Sequence, residues 1–176
     1  MKSKITKFDK ECLQKAIDFA NETFEKGVNY PVGAVLSIDD KIVDATGSNM
    51  FKHKSRVMHA ENTLIIRNGE KLFKAFELGQ ASTLYTTLEP CIQCLGACVT
   101  NNVSKIIYIQ KDSNGGACDM KHDKIGLHYR EVWPKIIHAP ISEKPKKLMI
   151  AFFKSEIKKG NIEWPTKMVS LLKNDV

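Results

Sequence analysis

A chain of 176 residues, 43% hydrophobic and 27% charged, can bury one sizeable core and falls within the range of a single domain. No run of about 18 apolar residues occurs, and none follows the basic start Met1–Lys7, so neither a membrane span nor a signal peptide is expected. The formal charge of +7 would suit a polyanion such as RNA. Yet only Arg56, Arg67 and Arg130 among the 27 basic residues carry a planar phosphate-gripping fork, and a solvated lysine surface explains the charge equally well.

In chain order, Leu13, Ala16, Ile17, Ala20 and Phe24 recur at helical spacing and predict an amphipathic helix from about Phe8 to Lys26, ended by Gly27. Pro31–Ile38 and Lys41–Ala45 are β-prone runs around Asp39-Asp40 and predict a hairpin with both strands largely buried. The polar, basic loop Thr46–Met58 leads to His59, where a helix starts and runs through Leu64, Ile65 and Ile66 to Asn68-Gly69. Ser82–Leu88 reads as a third strand, and Pro90 suits the first turn of a helix from Cys91 to about Asn101. A tight crossover then reaches a fourth strand, Val103–Ile109. Gln110–Trp133 mixes glycine, charge and histidine without a period and is given no element. A short strand at Lys135–His138 precedes a helix from about Lys146 to Lys159 with Met149, Phe152, Phe153 and Ile157 on one face. The class is α/β: one domain over residues 1–176, a mixed sheet covered by helices on both faces, and an extension at about 160–176.

The chemistry concentrates in His59-Ala60-Glu61 and Pro90-Cys91-Ile92-Gln93-Cys94. One imidazole and two sulfurs make three ligands for zinc and leave its fourth position to water, the arrangement of a catalytic site rather than a structural one. Cys91 and Cys94 lie on one helical turn, so both can reach one ion, and a helix N-terminus stabilises their thiolates. Two thiolates and a neutral imidazole cancel the charge of the ion, which weakens its pull on the water proton. A carboxylate must then take that proton, and Glu61 is two residues from His59. These are the parts needed for water to replace an amine on a ring carbon, with one carboxylate acting as base and then acid.

Plainer readings exist for the same residues. Cys-x-x-Cys also occurs in structural zinc and redox motifs, and Cys98 is the nearest fourth donor, although an intrahelical cysteine more often packs as a small apolar side chain. Cys12 fits helix packing, and Cys118 reads as a loop thiol. His53, His122, His128 and His138 have no ligand spacing. Five cysteines, an odd number with a metal-like pair, argue against a disulfide framework and for a reducing cytoplasmic compartment.

The segments Pro31-Val32-Gly33-Ala34, Ser48-Asn49, His59-Ala60-Glu61 and Thr87-Leu88-Glu89-Pro90-Cys91-Ile92-Gln93-Cys94-Leu95-Gly96-Ala97 resemble the cytidine and deoxycytidylate deaminase superfamily. The likeness is to its branch of bacterial tRNA adenosine deaminases, guanine deaminases and fungal cytosine deaminase, and it runs from the first helix to Phe153. It implies a three-layer α/β/α cytidine-deaminase-like fold around a mixed five-stranded sheet, usually as a homodimer. It also implies zinc on His59, Cys91 and Cys94, Glu61 as proton shuttle, Asn49 bonded to the base, and backbone near Ala60 orienting it.

Substrate divides the resemblance. Lys111–Ala117, which includes Asp112, is similar to the loop shaping the anticodon groove of tRNA adenosine deaminases, and Ala151–Lys154 resembles their closing helix. Both favour adenosine in tRNA. Arg56-Val57-Met58 replaces their usual Pro-Thr-Ala, Ser48–Phe51 looks as much like cytosine deaminase, and the tail Gly160–Val176 with Trp164 would suit a cover over a small pocket for a free base or nucleoside. A non-catalytic zinc-stabilised binding subunit is the third reading, and the presence of Glu61 weighs against it.

Overall fold

A computed structural model of the chain describes residues 5–27 and 29–174. Five strands, β1 (Gly33–Ile38), β2 (Lys41–Gly47), β3 (Ser82–Leu88), β4 (Lys105–Gln110) and β5 (Lys135–His138), form one sheet in the order β2-β1-β3-β4-β5. β1 pairs antiparallel with β2 and β3, whereas β3, β4 and β5 run parallel, so the sheet is mixed. Parallel pairs need a crossover, which α4 (Ile92–Thr100) supplies between β3 and β4.

Side-chain alternation along the strands divides the core between the two faces of the sheet. Val35, Tyr85, Ile107 and Ile109 join Cys12, Leu13, Ala16 and Ile17 of α1 (Lys7–Glu25) in one cluster. Ala34, Leu36, Leu84 and Ile106 join α2 (Ala60–Arg67), α4, α6 (Lys144–Lys158) and α7 (Glu163–Asn174) in the other. Helices on both faces give the expected α/β/α layering.

Local chemistry sets the boundaries. Thr6 caps α1 through a capping box with Asp9, and Gly27 follows the helix at φ +65°. Asp39 and Asp40 both have positive φ, the requirement of the two-residue hairpin turn that joins β1 and β2. Gly33 is obligatory for packing: a Cβ there would stand 2.0 Å from the Ala16 carbonyl oxygen, because β1 begins directly against α1.

Several expectations are corrected. Only β1 of the hairpin is buried; β2 is an edge strand whose first half is open to solvent. Pro90 precedes the N-cap Cys91 rather than occupying the first helical turn. A short helix, α3 (Gly69–Glu77), follows α2, and α5 (Leu127–Glu131) lies within the stretch given no element. α6 begins at Lys144, with proline in its first turn. The tail is the helix α7, whose Met168 and Leu172 are buried in the core. Cys118, expected as a loop thiol, is buried, as are Cys12 and Cys98, which were expected to be packed. The expectations for Met1–Lys4, Val28, Asp175 and Val176 lie outside the described residues. Among the described residues, no helix is long and apolar enough to cross a membrane.

Candidate active site

Two helix N-termini meet at the site. His59 is the N-cap of α2 and Cys91 the N-cap of α4, each in extended backbone, and neither side chain makes the capping hydrogen bond that this position usually supplies. The local rule is broken because both side chains turn toward a common point. His59 Nδ1 lies 3.6 Å from Cys91 Sγ and 3.5 Å from Cys94 Sγ, and the three ligand atoms lie within 4.8 Å of one another. A tetrahedral zinc with Zn–S of about 2.3 Å and Zn–N of about 2.0 Å separates sulfur from nitrogen by about 3.5 Å. The donor set therefore fits zinc in both chemistry and spacing. Gln93 steadies the approach of the two helices by donating from Nε2 to the carbonyl of Val57, 3.4 Å away, in the loop before His59.

The electrostatics follow from this packing. Hydrogen bonding to Cys94 is the largest influence on the Cys91 thiol; with a further bond from His59 it outweighs burial and pulls the thiol down to about 4. Cys94 moves up, because Cys91 holds the shared negative charge and Cys94 is buried. The Cys91 hydrogen bond raises the His59 imidazole. An ion bound here would meet a site already polarised toward thiolate.

Glu61, in the first turn of α2, is 4% exposed, and burial pushes its carboxyl up. Thr86 on β3 donates from Oγ1 to Glu61 Oε1 at 3.2 Å. A carboxyl group held away from water and raised above its ordinary value is suited to accept a proton and return it.

Glu61, His59 and Cys91 open into a cavity of 240 Å³ whose wall also includes Ala60, Tyr30 and Asp112. Asp112 belongs to a loop tied down by Glu89, whose carboxylate accepts from the backbone N–H of Asp112 at 3.1 Å and of Cys118 at 3.0 Å. The same loop bridges Cys91 through Gly116. The Asp112 side chain accepts from Asn114 N–H, so it shapes its own loop as well as the cavity wall.

Of the seven residues singled out in sequence, His59, Ala60, Glu61, Cys91 and Asp112 line this cavity, and Cys94 completes the donor set behind it. Asn49 lies apart from these residues. Its amide donates to Thr46 Oγ1 and to the Gly47 carbonyl, and it lines a separate groove with Lys52 and Asn29. Its neighbour Ser48 takes the place in the cavity wall. Sequence reasoning missed Thr86 and the role of Glu89. A threonine at a fully buried strand position and a glutamate directly before Pro90-Cys91 are the signals that mark them. Trp164 and Met168 of α7 also reach the cavity.

A zinc-fitting triad at paired helix N-termini, with a buried carboxylate beside it on an α/β/α scaffold, defines a protein of the zinc-dependent hydrolase type. A family model for the cytidine and deoxycytidylate deaminase zinc-binding region matches residues 6–110. The chain belongs to that family. It is 31% identical over 152 residues to the tRNA-specific adenosine deaminase of Bacillus subtilis, covering 86% of this chain and 92% of that protein. A structure from a study of A-to-I editing by tRNA:A34 deaminases shares the fold at TM-score 0.58 and 23% identity, covering 74% of this chain and 98% of that one. The guanine deaminase of Nitrosomonas europaea shares it at TM-score 0.65 and 13% identity, covering 80% and 82%.

Proposed function

We propose that the protein is a zinc-dependent hydrolytic deaminase that converts adenosine in tRNA to inosine, releasing ammonia. The observation that carries deamination is the buried Glu61 carboxyl beside the His59, Cys91 and Cys94 donor set, facing a cavity sized for a single base. The relation to the Bacillus subtilis enzyme, which runs over most of both chains, supports tRNA adenosine as the substrate.

Zinc, when bound, would supply a Lewis acid toward water, weakened by two thiolate ligands so that a base is still required. Glu61 takes a proton from the attacking water and delivers it to the ring nitrogen N1 as oxygen bonds to C6. Glu61 then takes the proton of the new C6 hydroxyl and delivers it to the exocyclic amine as the C6–N bond breaks and the carbonyl forms, so one carboxyl serves both half-reactions. Thr86 holds that carboxyl in place. Asp112, on the Glu89-anchored loop, and Ala60 both line the cavity that would receive the base. Asn49 reaches the base only if its amide leaves Gly47 when substrate enters.

We further propose that the protein works in the cytoplasm as a homodimer. An odd number of cysteines, two of them in the metal-like pair Cys91 and Cys94, supports the compartment. Ile66, Phe73, Phe76 and Ile92, each more than half exposed on α2, α3 and α4, support burial against a second copy. Sedimentation at micromolar concentration tests the dimer.

One observation favours a second reading, deamination of a free base or nucleoside: α7 puts Trp164 and Met168 into the cavity wall, which narrows the space for a polynucleotide. A deamination screen over free bases, nucleosides, nucleotides and tRNA, with Glu61→Ala as control, decides between them. Inosine in tRNA, formed by the wild type and absent with the control, upholds the first reading. Turnover of small substrates alone replaces it with the second.

A further inference from the structure

Met168 and Trp164 both line the cavity, but they are placed differently. Met168 is 5% exposed and belongs to the core, whereas Trp164 leaves 46% of its surface open. An indole sealing a small pocket would have its faces covered. Trp164 instead stands at the mouth, with the Lys167 ammonium 5.9 Å from its ring centre. A second open aromatic accompanies it: Phe51 is 48% exposed and stacks on Tyr30 with centroids 5.5 Å apart, and Tyr30 is itself part of the cavity wall. Lys52, Lys54 and Arg56 follow Phe51 on the same exposed loop.

Partly exposed aromatic rings beside a cavity that holds one base, together with cationic side chains on exposed neighbouring segments, are elements with which proteins bind single-stranded nucleic acid. The aromatics stack bases and the cations meet phosphates. A cavity of 240 Å³ admits the reacting base and leaves the rest of the strand outside, against this rim. A free base held inside the cavity would leave the exposed 46% of Trp164 in water.

We propose that Trp164 is a stacking platform for the nucleotide adjacent to the reacting one in a single-stranded RNA loop, with Phe51 and the cations of the 52–56 loop and Lys167 holding the flanking strand. This rests on the RNA reading above and assigns to α7 a role in choosing a polynucleotide rather than excluding it.

The test compares wild type, Trp164→Ala and Trp164→Phe, all zinc-loaded, on an RNA stem-loop bearing the reacting adenosine and on free adenosine. Stacking on an aromatic ring predicts that Trp164→Ala raises KM for the stem-loop roughly tenfold, changes kcat less than threefold, and raises KM for free adenosine by less than it does for the stem-loop. Trp164→Phe restores most of the KM. In a Glu61→Ala background, the stem-loop quenches tryptophan emission, and Trp164→Phe removes that quench while binding persists. This second readout decides the matter if Trp164→Ala fails to fold. An unchanged KM with Trp164→Ala, or a quench that survives Trp164→Phe, overturns the platform while leaving the RNA reading intact. A wild type that deaminates small substrates and never the stem-loop overturns the RNA reading itself, and the platform with it.

Discussion

Gly116 packs its backbone against the carboxylate of Glu89 with no room for a side chain. A Cβ at position 116 would overlap that carboxylate and stand 2.7 Å from the Asp112 carbonyl oxygen. Because Gly116 also bridges Cys91, this contact sets how the 112–118 loop meets the donor set. Gly116→Ala must push the loop outward and carry Asp112 away from the cavity. A misplacement of about 1 Å near reacting atoms can cost on the order of 100-fold in rate. The expected result is a loss of that size in kcat/KM with zinc content retained, read by turnover and metal analysis on the same preparation.

Glu89 leads to a related expectation with a different signature. Its two carboxylate oxygens accept from two backbone N–H groups, those of Asp112 and Cys118, and glutamine offers only one acceptor while turning an amide N–H toward the other donor. Glu89→Gln is therefore expected to lose most of what Glu89→Ala loses, about 1–3 kcal/mol for a buried donor left unsatisfied. Hydrogen exchange at the Asp112 and Cys118 amides should accelerate in both variants. Normal protection in Glu89→Gln would show that side-chain size, not the paired acceptors, holds the loop.

These two residues also mark where the sequence was readable. The sheet, the main helices and the donor set follow from signals that act over a few residues: apolar period, turn chemistry at Asp39-Asp40, and Cys-x-x-Cys spacing. The Glu89–Gly116 contact joins positions far apart in the chain through a loop with no period, and only the folded backbone brings them together. α3 escaped notice because Leu72 and Ala75 are its only buried residues. Asn49 was placed by likeness alone, and the hydrogen bonds that turn its amide toward Thr46 and Gly47 carry no sequence signal.

Zinc should act as a structural ligand as well as a reagent. Cys94 is buried, and without an ion its sulfur shares one negative charge with Cys91 in a site built for a dication. An ion at about 1,000 times its dissociation constant adds about 4 kcal/mol, which for a chain of this size corresponds to roughly 10 °C in Tm. Chelation followed by dialysis should lower Tm by about that amount, and stoichiometric zinc should restore it. A Tm indifferent to chelator would mean that the donor set holds no ion in solution.

Thr86 and Glu61 should separate positioning from chemistry. Thr86→Val keeps the shape of a fully buried side chain and deletes the hydroxyl that donates to the Glu61 carboxyl. A hydrogen bond of about 1.5 kcal/mol lost in the transition state lowers kcat about tenfold. Glu61→Gln removes the proton carrier and should lower kcat by about 100-fold or more. Both variants should retain zinc, so metal loss accompanying the Thr86→Val defect would assign Thr86 a role in the metal site instead.

On the far face of the sheet, Asp9 concentrates interactions that make stability depend on pH. It is 3% exposed, closes the α1 capping box with Thr6, accepts from Tyr85 Oη at 2.9 Å and lies 3.4 Å from Lys105 Nζ. Burial alone would raise its carboxyl, but hydrogen bonds from Thr6 and Tyr85 and the Lys105 charge outweigh it and hold the carboxyl below its ordinary value of 3.8. A carboxyl that ionises more readily in the folded protein stabilises the fold above the pKa of the unfolded chain, and this contribution disappears as pH falls through the folded value. Asp9→Asn should therefore cost about 1–3 kcal/mol at pH 7, where the charge-assisted bonds are fully formed. The gap between wild type and variant should narrow below about pH 4, as the wild-type carboxyl takes up its proton. Urea unfolding of both proteins at pH 7, 5 and 3.5 reads the difference directly, and a gap that stays constant across that range would assign the cost to packing rather than to charge.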